Sequence, residues 1–136
     1  MIIKEYLGIP NAVIAVEDNK PKAIEALQKV ADEIGDGSIK VMQLKSRYPQ
    51  GAEKMIVYSA TGRKIPFGKL PADVGVIVNN IDTCTSVYFA LIHRQSVLTR
   101  IITVAGSAVK KPSNFKVRIG TSFKDILEAA ECDFEN

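Results

Sequence analysis

Short wholly apolar runs alternate with stretches of helical spacing through the first two thirds of the chain. Ala12 to Val16 (AVIAV) has the pattern of a strand covered on both faces, as in a parallel sheet. EDNKP follows, with Asp18 or Asn19 as N-cap and Pro21 in the first turn of a helix. Ile24, Leu27, Ala31 and Ile34 recur at helical spacing, and Gly35 stops the helix near residue 34. Ile39 to Leu44 (IKVMQL) predicts a second strand. KSRYPQG then turns into a short helix over 53–60, ended by Gly62. RKIPFGKLPAD, with Pro66, Gly68 and Pro71, predicts an irregular loop. Val74 to Val78 (VGVIV) predicts a third strand, and a third helix carries Ile81, Cys84, Val87, Tyr88 and Leu91.

This β-α-β-α-loop-β-α order predicts an α/β fold: a parallel three-stranded core over residues 12–93 with right-handed crossovers. The pattern then changes. Ile101 to Val104 and Phe115 to Ile119 read as two strands joined through the turn-rich AGSAVKKPSN. FKDILEAA reads as a short helix capped by Thr121 or Ser122. Two strands and a helix are too few to bury a core alone. A boundary near residues 96–100 therefore divides the chain into 1–97 and an incomplete second unit, 98–136.

Charge and composition narrow the function classes. The chain has 136 residues, 46% hydrophobic and 24% charged, with a net charge of +3. The eighteen Lys and Arg read as spread along the chain and interleaved with acids, so no basic run points to nucleic acid. Cys84 and Cys132 lie far apart. That excludes a disulfide framework and a Cys-pair metal site, and it suits a reducing cytosol. No apolar run approaches the ~20 residues of a membrane helix. Neither a GxGxxG, a P-loop nor a nucleophile elbow occurs.

In an open parallel sheet, ligands bind beyond the carboxyl ends of the strands. Chain order alone puts three loops on that edge: EDN at 17–19, SRYPQGAE at 46–53 and NNIDT at 79–83. In NNIDT, Asn79 and Asn80 end an apolar run where a helix begins, with Asp82 or Thr83 near its cap. Carboxamides donate and accept together, which suits an isoalloxazine or nucleobase edge, and a helix N-terminus favours phosphate. Helix capping by Asn80 and Asp82 is the plainer reading and outweighs it. In YPQGAE, Gly51 permits close backbone approach, Tyr48 offers a ring, and Glu53 suits a ribose or nicotinamide. Turn shaping by Pro49 and Gly51, with Glu53 favourably placed in a first helical turn, is again the plainer alternative. EDN reads as a cap with solvated charge. His93 reads as a surface residue, and Cys84 falls on the apolar stripe of its helix.

The same segments carry a family likeness. YPQGAEKMIVYSATGRKIPFGKLPADVGVIVNN resembles the middle of the C subunit of Rnf-type electron transport complexes, as do RIITVAGSAVKKPSNFKVRIGTSFKDILEAA and IAVEDNKPKAIEAL. The likeness covers nearly the whole chain. It extends, more distantly, to the flavin- and NADH-binding subunit of respiratory complex I. It implies a two-part fragment: the second half of a Rossmann-like flavin-binding domain, 1–97, then the start of a soluble-ligand-binding β-grasp domain, 98–136. By position it implies flavin and NADH contacts at Tyr48, Gly51, Glu53, Asn79, Asn80 and Thr83. The first glutamate of the family's tyrosine-x-x-glycine-glutamate-glutamate segment is Ala52 here. The family's glycine-rich flavin phosphate loop is expected before residue 1, and its cysteine motifs for two 4Fe-4S clusters after residue 136. The resemblance thus implies FMN and 4Fe-4S clusters in the whole protein and neither bound by the fragment alone.

The function it implies is part of an NADH:ferredoxin-type oxidoreductase, lying on the inner face of the cell membrane with the other subunits, and with NADH and ferredoxin as partners of the complex. The alternative from another class is a non-redox module in which the β-grasp piece recognises a small ligand or partner on an α/β scaffold. A corrinoid- or sugar-related protein sharing these modules is a third reading.

Overall fold

The structure is a computed structural model, and it describes residues 1–133. The last three residues of the expected second domain lie outside that range. The chain divides into two compact units, Met1–Cys84 and Thr85 onward.

The first unit opens with a five-residue helix, α1 (Ile2–Tyr6), which the apolar pattern did not predict. Strand β1 (Ala12–Glu17), helix α2 (Pro21–Ile34) and strand β2 (Ile39–Leu44) follow. β1 and β2 pair in parallel, Ala12 against Ile39 through Glu17 against Leu44. A parallel pair needs a long crossover, and α2 supplies it. α2 packs against β2, and Ile24, Leu27, Ala31 and Ile34 form its least exposed stripe.

The cap of α2 departs from expectation. Lys20 occupies the N-cap position with no side-chain cap, and Pro21 stands in the first turn. A proline there has no N–H to satisfy, which reduces the need for a capping oxygen. Asp18 instead accepts a hydrogen bond from the Ser46 N–H at 3.0 Å. The Asp18 N–H donates to the Leu44 carbonyl at 2.8 Å. Asp18 therefore ties the end of β1 to the loop after β2.

Helix α3 (Glu53–Thr61) ends at Gly62, whose φ of +72° costs little only in a residue without Cβ. Val57, on α3, is 1% exposed; full burial of such a side chain is worth about 1.5–3 kcal/mol. Leu44, Ala31 and Pro71 are also buried in this unit.

The sheet has two strands among the described residues, not the three expected. Pro71–Val74 forms a 3-10 turn, and Gly75 leaves it in the left-handed region at φ +69°, ψ +35°. Arg63 Nη1 donates to the Val74 carbonyl at 2.7 Å and to that of Gly75 at 3.1 Å. The VGVIV run is thus broken at its second residue, and its first two carbonyls are already engaged. A glycine inside an apparent strand marks this kind of bend. Val76–Val78 keeps a half-buried, exposed, half-buried alternation but joins no ladder.

Helix α4 (Ile81–His93) begins in the first unit. Toward its end, the rings of Tyr88, Phe89 and His93 cluster with centroids 5.3–5.5 Å apart. His93 is exposed, and Cys84 is half-buried.

The second unit holds the expected pair of strands and helix. β3 (Thr99–Val104) and β4 (Ser113–Arg118) pair antiparallel, with Ile102 opposite Phe115. Side chains alternate across such a hairpin. Ile102, Val104, Phe115 and Val117 are half-buried, whereas Thr99, Ile101, Thr103, Asn114, Lys116 and Arg118 are exposed. Helix α5 (Phe123–Ala129) is capped by Ser122, whose Oγ accepts from the Asp125 N–H at 3.1 Å. Ile126 and Ala130 are buried. The connection between the strands is tied to the end of α5 by Lys111 N–H to the Ala130 carbonyl, 3.1 Å, and Asp133 N–H to that of Ala108, 2.8 Å.

Candidate functional site at the end of the parallel pair

The loop after β2 is built as two overlapping turns. The Gln50 N–H donates to the Arg47 carbonyl at 2.7 Å, and the Ala52 N–H to that of Pro49 at 2.8 Å. The Tyr48–Pro49 bond is cis. Gln50 is 5% exposed, and its Nε2 donates to Ser59 Oγ on α3 at 2.8 Å. At the loop's start, the Ser46 hydroxyl and N–H hold the Asp18 carboxyl below its usual range. The backbone is thus tied at its start by the exposed Asp18–Ser46 pair and further on by the buried Gln50 side chain.

The residues pointing away from it are unencumbered. Tyr48 is 99% exposed. A Cβ placed on Gly51 would have no atom within 4 Å, and its φ lies outside the left-handed region. Neither packing nor backbone conformation in this chain therefore requires glycine there. An open groove beside it is lined by Glu17, Arg47, Tyr48, Gly51 and Ala52, among others. Glu53 begins α3 and is exposed; Ala52, at the N-cap, offers that helix no side-chain cap.

Asn79, Asn80 and Thr83 do not line this groove. All three are exposed. Asn80 Oδ1 accepts from the Asp82 N–H at 2.9 Å, and its carbonyl from the Cys84 N–H at 3.1 Å. Asn80 therefore starts α4, as the capping reading had it, and its carboxamide nitrogen takes no part in that turn. Asp82 lies in the first turn of α4. Its carboxylate already complements the helix dipole, which makes this terminus a poorer phosphate site than sequence reasoning suggested.

Four positioning residues have roles that the sequence did not reveal. Gln50 stands in a polar loop with no apolar neighbour to mark it as buried. Asp18 and Ser46 are 28 positions apart, joined only by β1–β2 pairing. Arg63 reads as loop charge, and only the carbonyls it meets reveal its role. Among the described residues, no group of three or more His, Cys, Asp or Glu could hold a metal ion. No described helix is long and apolar enough to cross a membrane.

An open groove at the end of a parallel pair, with a free ring and a bare backbone, suits a planar ligand such as a flavin. Residues 1–89 match the Nuo51 FMN-binding domain model, and the chain belongs to that family; residues 101–130 match the SLBB domain. The chain is 44% identical over 127 residues to the C subunit of the proton-translocating ferredoxin:NAD(+) oxidoreductase complex of Clostridium ljungdahlii, covering 93% of this chain and 27% of that protein. It is 39% identical over 122 residues to the Na(+)-translocating counterpart of Acetobacterium woodii, covering 90% and 27%. The C subunit of the ion-translocating oxidoreductase complex of Rhodobacter capsulatus is 36% identical over 126 residues, covering 93% and 24%. These relatives bear out the resemblance to the C subunit of Rnf-type complexes. The chain spans about a quarter of their length.

Proposed function

We propose that this chain forms one wall of the flavin and NADH site of an electron-transport subunit in an ion-translocating ferredoxin:NAD(+) oxidoreductase complex. The carrying observation is Gly51: the protein's own fold does not need glycine at a position that opens onto a groove beside a fully exposed tyrosine. A ligand approaching the backbone gives a reason for a bare Cα there.

In this reading, residues 1–97 are half of a Rossmann-like flavin domain, and 98–136 begin a β-grasp unit. FMN held here would supply hydride acceptance from NADH and one-electron transfer, and these residues would bind and orient it. Tyr48 packs on a planar ring, and Gly51 lets the backbone N–H and C=O groups approach it. Asn79 supplies a carboxamide that both donates and accepts at the ring's polar edge, and the Asn80 carboxamide nitrogen adds a donor. Thr83 adds a hydroxyl, and Glu53 a carboxylate for a ribose or nicotinamide. The 4Fe-4S clusters and the flavin's phosphate contacts belong to other parts of the whole subunit. That subunit sits with its partner subunits at the cytoplasmic face of the membrane, where NADH and ferredoxin are exchanged. The 136 residues alone bind FMN and NADH weakly or not at all.

Flavin titration of the whole subunit tests this. Gly51→Val raises the FMN dissociation constant at least tenfold with an unchanged melting temperature. Tight binding by the variant would overturn the reading. Micromolar binding by the isolated 136 residues would show instead that they hold a complete site.

A further inference from the structure

The mixing of charges along the chain ends at Asp82. From Thr83 to Lys124 there is no Asp or Glu, while Arg94, Arg100, Lys110, Lys111, Lys116, Arg118 and Lys124 all fall there. At the chain's own frequency of acids, about four or five would be expected in a stretch of that length. A surface that only needs solubility intersperses both signs.

The fold sorts these cations. Lys111 pairs with Glu131, and Lys124 with Glu128 at 3.7 Å. Arg100 lies on the hairpin's half-buried face and is engaged elsewhere. Lys116 and Arg118 are left on the opposite face, two residues apart on β4, with no ion pair among the described residues. Across the ladder from them stand Ile101 and Thr99. Thr103 and Asn114, bonded at 2.7 Å, complete the row. Ile101 is 68% exposed.

We propose that this outward face of the β3–β4 hairpin is a docking surface for an acidic protein surface. Two cations held by a ladder are pre-positioned, so an incoming carboxylate pair meets them without ordering a loop first. Hydroxyl and amide groups around them suit a wet, polar rim, and a single exposed isoleucine gives a small apolar centre. One isoleucine is too little for insertion into a bilayer, which requires a broad apolar face. The ladder shows no aromatic ring on this face for stacking bases. The inference stands on charge and register, independent of the flavin reading.

Binding of fluorescent poly-L-glutamate to the whole subunit, followed by anisotropy at ~50 mM salt, tests it. Two double charge reversals are compared: Lys116→Glu with Arg118→Glu on the hairpin, and Lys22→Glu with Lys29→Glu on α2, which change net charge equally. The hairpin pair weakens binding at least tenfold and the α2 pair less than twofold. Raising salt to ~1 M, where screening reaches only ~3 Å, removes the difference. A Lys116→Gln, Arg118→Gln pair with an unchanged melting temperature reproduces a partial loss. Equal losses from both reversals, or no loss from either, would overturn the proposal. So would tighter binding to phosphatidylglycerol-containing vesicles or to duplex DNA than to poly-L-glutamate, because the face would then select phosphates.

Discussion

The loop at 46–53 and the stretch at 76–83 both carry candidate ligand contacts, and they are built on opposite plans. In the first, duties are separated. Gln50 and the Asp18–Ser46 clip hold the backbone, while Tyr48 and Gly51 do nothing for the fold. In the second, Asn80 both begins a helix and presents a carboxamide. Where duties are separated, a substitution changes stability or binding; where they are shared, it changes both.

The largest effect that would break this contrast is at Gln50. Gln50→Leu removes a buried hydrogen bond and leaves the Ser59 hydroxyl without that donor. It costs about 1–3 kcal/mol, read as a lower melting temperature. Flavin affinity is then lost only through the displaced loop, and a variant of unchanged stability would show that Gln50 does not anchor it. Smaller, and sharper, is the pair Asn80→Ala and Asn79→Ala. Loss of the cap costs about 1 kcal/mol of stability, and both variants lose about 0.5–1.5 kcal/mol of flavin binding. Asn79→Ala leaves the melting temperature where it was. Equal thermal losses at both positions would erase the distinction.

The smallest effect is at Asp18. Hydrogen bonds from Ser46 lower its folded pKa, so its contribution is fully present above the unfolded carboxylate value of ~3.9 and disappears as pH falls through the folded value. The stability gap between wild type and Asp18→Asn is therefore largest near neutral pH and closes below pH ~4. Denaturant melts at pH 7 and pH 3 measure it. A gap that widens in acid would mean that Asp18 is not held in its ionised form.

What the sequence made legible was periodic or terminal. β1, α2, β2 and α3 follow from apolar runs, helical spacing and the glycines after residues 34 and 61. The hairpin and α5 follow from alternation and from Ser122. The third strand did not form because one residue, Gly75, reads as part of an apolar run but turns the backbone into the left-handed region. Asp18 was misread because local capping is visible in sequence, whereas a partner across a parallel ladder is not. In the candidate site, Tyr48 and Gly51 could be named from composition. That Gly51 is dispensable to the fold needed coordinates, since a glycine shows its reason only by what surrounds it.

The guanidinium of Arg63 acts as a placeholder for neighbouring strands. It donates to two successive carbonyls at the head of the Val74–Val78 run, which in an extended strand would point to opposite sides and meet two different neighbours. A Cβ on Gly75 would come within 3.2 Å of it. Recruiting this run into a larger sheet is consequently an exchange: two donors leave and two arrive. The net number of hydrogen bonds hardly changes, so such a sheet would draw its stability from covering Val76, Ile77 and Val78 rather than from the ladder itself. The arginine keeps those carbonyls engaged until then, and a segment that joins late finds an edge already in order.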